Sequence, residues 1–363
     1  MNKSRRILFV APLPPPVHGS AMVSQQIKDS KSVNEAFCCD WVNLSTSRRM
    51  DEIGKGSLAK VFRFVAAFFV TLGKLMTRRY DMCYLAITCY GTGFLKDAPF
   101  VLLCKLFGRK IVIHQHNKGM ANYVDRRPYR RLLPLVYRKA RVILLSWHLY
   151  PDIERVVPKE NVVICPNGIA NTENAHAVHH NATPRLLFLS NLIESKGVLV
   201  LLDALKILAD KGVMFACDMV GGETKEIDAK RLEKELDKRG LAQVVHYHGR
   251  KVGAEKDAFF ENSDIFVLPT YYECFPLVLL EAMQHHLPCV TTDEGGIPDI
   301  VADGVNGVIC ERKSATSLAN GIKKLLNDEE LRVEMGNNGH ARYETQFTIV
   351  HFENTLIQLL QEA

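Results

Sequence analysis

Two glutamates carry the first chemical signal. Glu273 and Glu281 stand eight residues apart in "PTYYECFPLVLLEAM" and bracket the mostly apolar run "CFPLVLL". Pro276 suits a first helical turn, because the amide it lacks would have no intrahelical partner there. A helix is therefore expected over about residues 275–286, with Glu273 in the loop before it and Glu281 more than a turn inside. At about 1.5 Å of rise per residue, the two carboxylates could stand on the order of 10 Å apart with the helix N-terminus between them. That N-terminus offers free amides and about half a positive charge. Acid, anion site, acid is the layout of an extended ligand with hydroxyls at each end and phosphates in the middle, as in a nucleotide sugar. A core helix with solvated charged ends has the same spacing, and spacing alone does not separate the two.

The elements that must position these groups alternate. "RILFVAPL", "YDMCYLAI", "KIVIHQH", "RVILLS" and "NVVICPNG" read as strands separated by helices and turns. Residues 169–184, "IANTENAHAVHHNATP", are polar and carry no strong period. After them the alternation restarts with "RLLFLSN", "FACDMVGG", "VVHYHG", "DIFVLPT" and "PCVTTD". Continuous apolar strands alternating with helices imply parallel sheets covered on both faces. The expected fold is α/β: two doubly wound Rossmann-like domains facing each other across a cleft, with ligand at the carboxyl ends of the strands. The boundaries are placed at 1–170, a linker over 171–184, 185–340, and a helical tail over 341–363.

The motifs, in order, are "PPPVHGS", "ICPNGI", "LSNLIESKG", "PTYYECFPLVLLEAM" and "EGGIPDIVADGVNGVIC". Each alone is weak. Together, over nearly the whole chain, they resemble the retaining glycosyltransferases of the GT-B fold, in particular the large family four (group 1) type. The resemblance implies an N-terminal acceptor domain, a C-terminal nucleotide-sugar domain and a last helix that returns to the first domain. It implies that Glu281 holds the ribose hydroxyls and that Glu273 contacts the donor sugar. Backbone amides in the Cys274–Phe275–Leu277 stretch would meet sugar or distal phosphate, and Lys196 would neutralise the diphosphate. Gly19 would leave room for backbone beside that diphosphate. His116, rather than His114, is similar to the active-site histidine facing the donor sugar.

One departure stands out. Where the family usually has "GRL", this chain has Ser190, Asn191 and Leu192. Losing a charge-assisted hydrogen bond costs about 1.5–3 kcal/mol, or roughly 10- to 100-fold in turnover. Asn191 can still donate a neutral bond, and Arg250 in "HGRK" could supply charge. The implied reaction is hexosyl or N-acetylhexosaminyl transfer from a nucleotide-diphosphate sugar to a glycan or lipid-linked acceptor, as in cell-surface polysaccharide synthesis. Lys196, Gly19 and the helix start would stabilise the leaving diphosphate. No residue is marked as a covalent nucleophile. No Asp-x-Asp occurs, no cofactor is expected beyond the co-substrate, and the resemblance implies metal-independent chemistry. Two alternatives remain: a GT-B nucleotide-sugar epimerase or phosphorylase, and a catalytically weak sugar-nucleotide-binding protein, which Asn191 motivates.

Composition narrows the partners. Of 363 residues 47% are apolar and 24% charged, and the net charge of +6 suits an anionic ligand or surface. Ten cysteines form no C-x-x-C pair, which removes the main support for a zinc ribbon or thioredoxin-like site. They are read as reduced, in a cytoplasmic protein. Basic residues are not gathered with aromatics into a nucleic-acid module, so no nucleic acid is expected. The greasiest stretch is residues 57–80, where ten uncharged residues run from Phe64 to Gly73, short of the roughly 20 a spanning helix needs. Its Lys60–Arg79 region has two readings: a core helix with flanking charges, or an interfacial helix at the inner face of the plasma membrane.

Overall fold

The computed structural model describes residues 5–48, 57–172 and 181–363. Most of the polar segment read as the linker, with the His179–His180 pair, lies outside the described residues. The elements run β1 (Arg6–Ala11), α1 (Gly19–Asp29), α2 (Lys31–Ala36), β2 (Cys38–Asn43), α3 (Leu58–Thr77), β3 (Met82–Leu85), α4 (Gly91–Leu106), β4 (Lys110–Gln115), α5 (Tyr129–Tyr137), β5 (Ala140–Leu144) and β6 (Val162–Ile164). They continue with β7 (Arg185–Leu189), α6 (Val198–Asp210), β8 (Ala216–Val220), α7 (Ala229–Arg239), β9 (Val245–Tyr247), α8 (Ala254–Glu261), β10 (Ile265–Leu268), α9 (Leu277–Gln284), β11 (Cys289–Thr292), α10 (Ile297–Ile300), β12 (Gly307–Cys310), α11 (Ala315–Leu326), α12 (Glu329–Gln346) and α13 (Ile349–Glu362). They fall into two units, Met1–Asn167 with Val350–Ala363, and Gly168–Ile349.

The first unit holds a six-stranded sheet in the order β2-β1-β3-β4-β5-β6, every pair parallel. Ile7 stands opposite both Cys39 and Met82, so β1 is central. From β1 the chain moves outward to β2, then returns past β1 to β3. The strand order reverses there, and a crevice opens at the carboxyl ends. β1 and β3 are buried throughout except Arg6, as strands covered on both faces must be. β2, an edge strand, gave no sequence signal because its pattern is mixed and it carries Asp40. α13 belongs to this unit: Arg5 donates to the Leu360 carbonyl at 3.1 Å and Lys110 to that of Ala363 at 2.9 Å. Phe352 packs against the His114 ring.

α3 is capped by Ser57, whose hydroxyl accepts from the Lys60 amide. Its inner face meets α4, where Phe64 and Phe68 pack edge-on against Phe100. Its outer face leaves Leu58, Phe62, Phe69 and Met76 exposed. Lys74 and Arg78 are not loose surface cations: both pair with Asp40 of β2, at 3.2 and 2.6 Å. No described helix is long and apolar enough to cross a membrane.

The second unit holds another parallel six-stranded sheet, β12-β11-β10-β7-β8-β9. The chain winds β7-β8-β9 one way, returns to β10 beside β7, and winds on through β11 and β12. The switch point falls between β7 and β10.

Candidate functional site

The loops that leave β7 and β10 meet at that switch point. The Tyr271 amide donates to the Ser195 carbonyl at 2.9 Å, and the Thr270 hydroxyl donates to the same oxygen at 3.0 Å. Gly197 is obligatory here. Its φ is +83°, and a Cβ on it would lie 2.1 Å from the Pro269 carbonyl oxygen, so only glycine permits this approach. The result brings Lys196 against Glu273 in a salt bridge, both side chains about one-fifth exposed.

Glu273 is held from a second side. Its amide donates to Glu294 Oε1 at 3.2 Å, and Glu294, buried, is paired with Arg312 at 2.8 Å. Gly295, at φ +59°, would drive a Cβ to 2.3 Å from the Glu273 carbonyl oxygen, and the Gly296 amide donates to the Cys274 carbonyl. Thus "EGG" is a clamp on the Glu273–Cys274 backbone. Cys274 and Phe275 are buried. The helix begins two residues later than expected: Pro276 is the N-cap rather than a first-turn residue, and α9 spans Leu277–Gln284.

Glu281 lies on α9 with its Oε1 2.8 Å from Lys256 Nζ on α8. Burial raises its carboxyl above the usual range, and the Lys256 ammonium opposes that rise. One turn on, His285 is the C-cap of α9 and is buried, stacked on Phe260 at 5.2 Å. It is a cap, but not the surface residue that a polar "HH" suggests. Burial pushes it down to about 4.

The two candidates for extra positive charge are placed differently. Asn191 follows β7, and its Oδ1 accepts from the Gly222 amide at 3.1 Å, tying the β7 and β8 loops together. Arg250 follows β9 and is exposed, with β8 standing between β9 and β7. Sequence reasoning missed Lys256, Glu294 and Arg312. Each meets its partner only through the fold, and no local spacing marks them.

In the first unit, a cavity of about 880 Å³ opens at the carboxyl ends of β1, β3 and β4. Pro12, Ile87, Thr88 and His116 line it, with Phe64 of α3 and Lys96 and Asp97 of α4. Both His116 ring nitrogens are buried without a hydrogen-bond partner. Burial, with a lesser push from His18, brings His116 down to about 4, so the ring is neutral at ordinary pH. His114 is in the sheet core, its Nδ1 2.6 Å from the Tyr84 hydroxyl, and it does not line the cavity. Gly19 is the first residue of α1, capped by His18. A Cβ there would meet nothing within 4 Å, so no described neighbour explains the glycine. Among the described residues no group of three His, Cys, Asp or Glu could hold a metal ion.

Against known proteins, the family model for glycosyl transferases group 1 matches residues 171–342. The chain is 30% identical over 161 residues to the capsular polysaccharide biosynthesis glycosyltransferase CapM of Staphylococcus aureus, covering 44% of this chain and 41% of that one. It is 32% identical over 200 residues to the uncharacterized glycosyltransferase MJ1178 of Methanocaldococcus jannaschii, covering 55% and 53%. The chain thus spans about half the length of these curated relatives. Among solved structures, Anabaena Alr3699/HepE in complex with UDP superposes with a TM-score of 0.77 at 18% identity, over 99% of this chain and 100% of that one. Sucrose-phosphate synthase from Thermosynechococcus elongatus gives 0.76 at 18%, over 99% and 98%. The fold is that of the GT-B class, and residues 171–342, the body of its second unit, match the glycosyl transferases group 1 family.

Proposed function

We propose that this protein is a retaining glycosyltransferase that moves a hexosyl or N-acetylhexosaminyl group from a nucleotide-diphosphate sugar to a glycan or lipid-linked acceptor in cell-surface polysaccharide synthesis. The observation that carries the reading is the β7/β10 switch point. There a cation, Lys196, and a carboxylate, Glu273, meet just ahead of the start of α9, with a second carboxylate, Glu281, further along the helix. In this reading the diphosphate lies at Lys196 and the amides near Phe275 and Leu277, where charge develops as the bond to the anomeric carbon breaks. Glu273 takes sugar hydroxyls and Glu281 the ribose. The donor must displace Glu273 from Lys196, which is a reason for the pair to be only partly buried. UDP-glucose is the first donor to try, because a solved structure of HepE with this fold contains it.

The first unit is proposed as the acceptor domain, with its cavity as the acceptor site. His116 would supply a neutral ring to a reacting hydroxyl, and Gly19 would leave backbone room for phosphate. The reaction is proposed to need no metal. The exposed apolar face of α3, with Lys60 and Arg79 at its two ends, would rest on anionic lipid at the cytoplasmic face. Arg78 is the wrong residue for testing that contact, since Asp40 engages it. Phe62→Asp with Arg79→Glu is the better variant, read by sedimentation with phosphatidylglycerol vesicles.

The functional test is release of free nucleoside diphosphate, with UDP-, GDP-, ADP- and CDP-glucose offered in turn. Release that depends on added acceptor supports transfer, and release without acceptor points to hydrolysis or epimerase-like chemistry. Tight donor binding without turnover would favour the binding-protein reading, which Asn191 supports because, with its Oδ1 held by the Gly222 amide, its amide nitrogen can offer the diphosphate only a neutral bond where the family's arginine offers a charged one.

A further inference from the structure

Lys256 stands where helix electrostatics do not want it. It lies in the first turn of α8, beside Glu255 and Asp257, and a cation at a helix N-terminus opposes the macrodipole. Its contacts explain it. Lys256 Nζ sits 2.8 Å from Glu281 Oε1 and 5.8 Å from the Phe260 ring centroid. Phe260 in turn stacks on His285, with an interplanar angle of 6°. Residues 256 and 260 are one turn apart on α8, and His285, the C-cap of α9, follows Glu281 by one turn. The two helices are therefore joined by two rungs, Lys256–Glu281 and Phe260–His285. The buried aromatic rung sets the distance at which the charged rung forms.

We propose that Lys256 is a positioning residue for the donor nucleotide: its ammonium orients and charge-balances the Glu281 carboxylate so that the carboxylate can accept the ribose hydroxyls. The inference rests on the role proposed for Glu281 above. Burial works against an ionised Glu281, and so does Asp257 of α8, whereas Lys256 favours it. At the end of α9, the His285 cap is neutral at ordinary pH. From α12, His340 faces His286 and the Gln284 carbonyl rather than Glu281. From β11, the Cys289 thiol is held protonated by burial. Lys256 is thus the cation among these groups that keeps the carboxylate charged, and a charged acceptor forms the stronger hydrogen bonds.

The test is calorimetric titration of UDP-glucose, whose diphosphate does not titrate between pH 5.5 and 8, into wild type, Lys256→Gln, Lys256→Arg, Glu281→Gln and the double variant Lys256→Gln with Glu281→Gln. Without the ammonium, Glu281 protonates at higher pH. Lys256→Gln should therefore lose affinity relative to wild type progressively as pH falls from 8 to 5.5, by up to about tenfold for each pKa unit by which the substitution raises Glu281, with the smallest difference at pH 8. Lys256→Arg should restore the wild-type profile. In the Glu281→Gln background the Lys256→Gln change should add nothing further, a coupling that independent sites do not show. A loss equal at every pH would mean that Lys256 touches the ligand itself or merely supports α8, and would overturn the proposal, as would no loss at all. Failure of wild type to bind any of the UDP-, GDP-, ADP- or CDP-linked sugars would remove the donor-site reading and this inference with it.

Discussion

Replacing Glu281 by alanine is the sharpest perturbation of the donor-site reading. The carboxylate already holds Lys256 through Oε1 at 2.8 Å, so the ribose would be met chiefly by the remaining oxygen. Hydrogen bonds to a charged group contribute about 1.5–3 kcal/mol each, so losing this contact should weaken the donor about 100-fold. With nucleotide sugar at about 100 times its dissociation constant, wild type gains about 2.7 kcal/mol of apparent stability, whereas the variant, then at about its own dissociation constant, gains only about 0.4. For a domain of this size 1 kcal/mol moves Tm by about 2–4 °C, which converts the two values to shifts of about 5–11 °C and about 1–2 °C. A thermal-shift panel over four nucleotide classes reads both numbers and identifies the base. A donor-induced shift in Glu281→Ala as large as in wild type would refute the placement of the ribose at α9.

Two glycines should behave in opposite ways. Gly197→Ala meets the Pro269 carbonyl at 2.1 Å and a left-handed backbone, so it should lose about 3 kcal/mol of stability and donor binding together, read by denaturant unfolding. Gly19→Ala meets no neighbour and should leave Tm unchanged or slightly raised, while nucleoside diphosphate release falls; unchanged release would sink the role proposed for Gly19. His116 is neutral in both folded and unfolded chains above about pH 6.5, and on acidification the unfolded chain protonates first. Its depression to about 4 should therefore cost about 3 kcal/mol of stability as pH falls from about 6.5 to 4, and His116→Gln should remove about that much of the acid loss. Turnover should persist in EDTA, and its loss there, restored by a divalent cation, would overturn metal-independent chemistry.

The alternation of strands and helices was readable because it is local. A strand buried on both faces, such as Ile7–Ala11 or Met82–Leu85, must be continuously apolar whatever lies beside it. The glycine-bearing motifs were readable for a related reason: "SKG" and "EGG" mark backbone geometry that only glycine accepts. β2 escaped notice because an edge strand needs no apolar run, and the burial of the His285 cap was not legible because a polar pair says nothing about a phenylalanine 25 residues earlier. The sequence by itself determined the element types, the restart of the α/β pattern after residue 184, and the motif order that suggested a family. Tertiary structure alone decided the sheet orders and hence the two switch points. It also decided that Lys196 meets Glu273, that Glu294 and Arg312 clamp the same loop, that Lys256 faces Glu281, and that His116 rather than His114 reaches a cavity. The physical reason is range: periodicity and backbone conformation are encoded within a few residues, whereas pairings across 18 to 77 positions of the chain arise only when crossovers bring distant loops to the same end of a sheet.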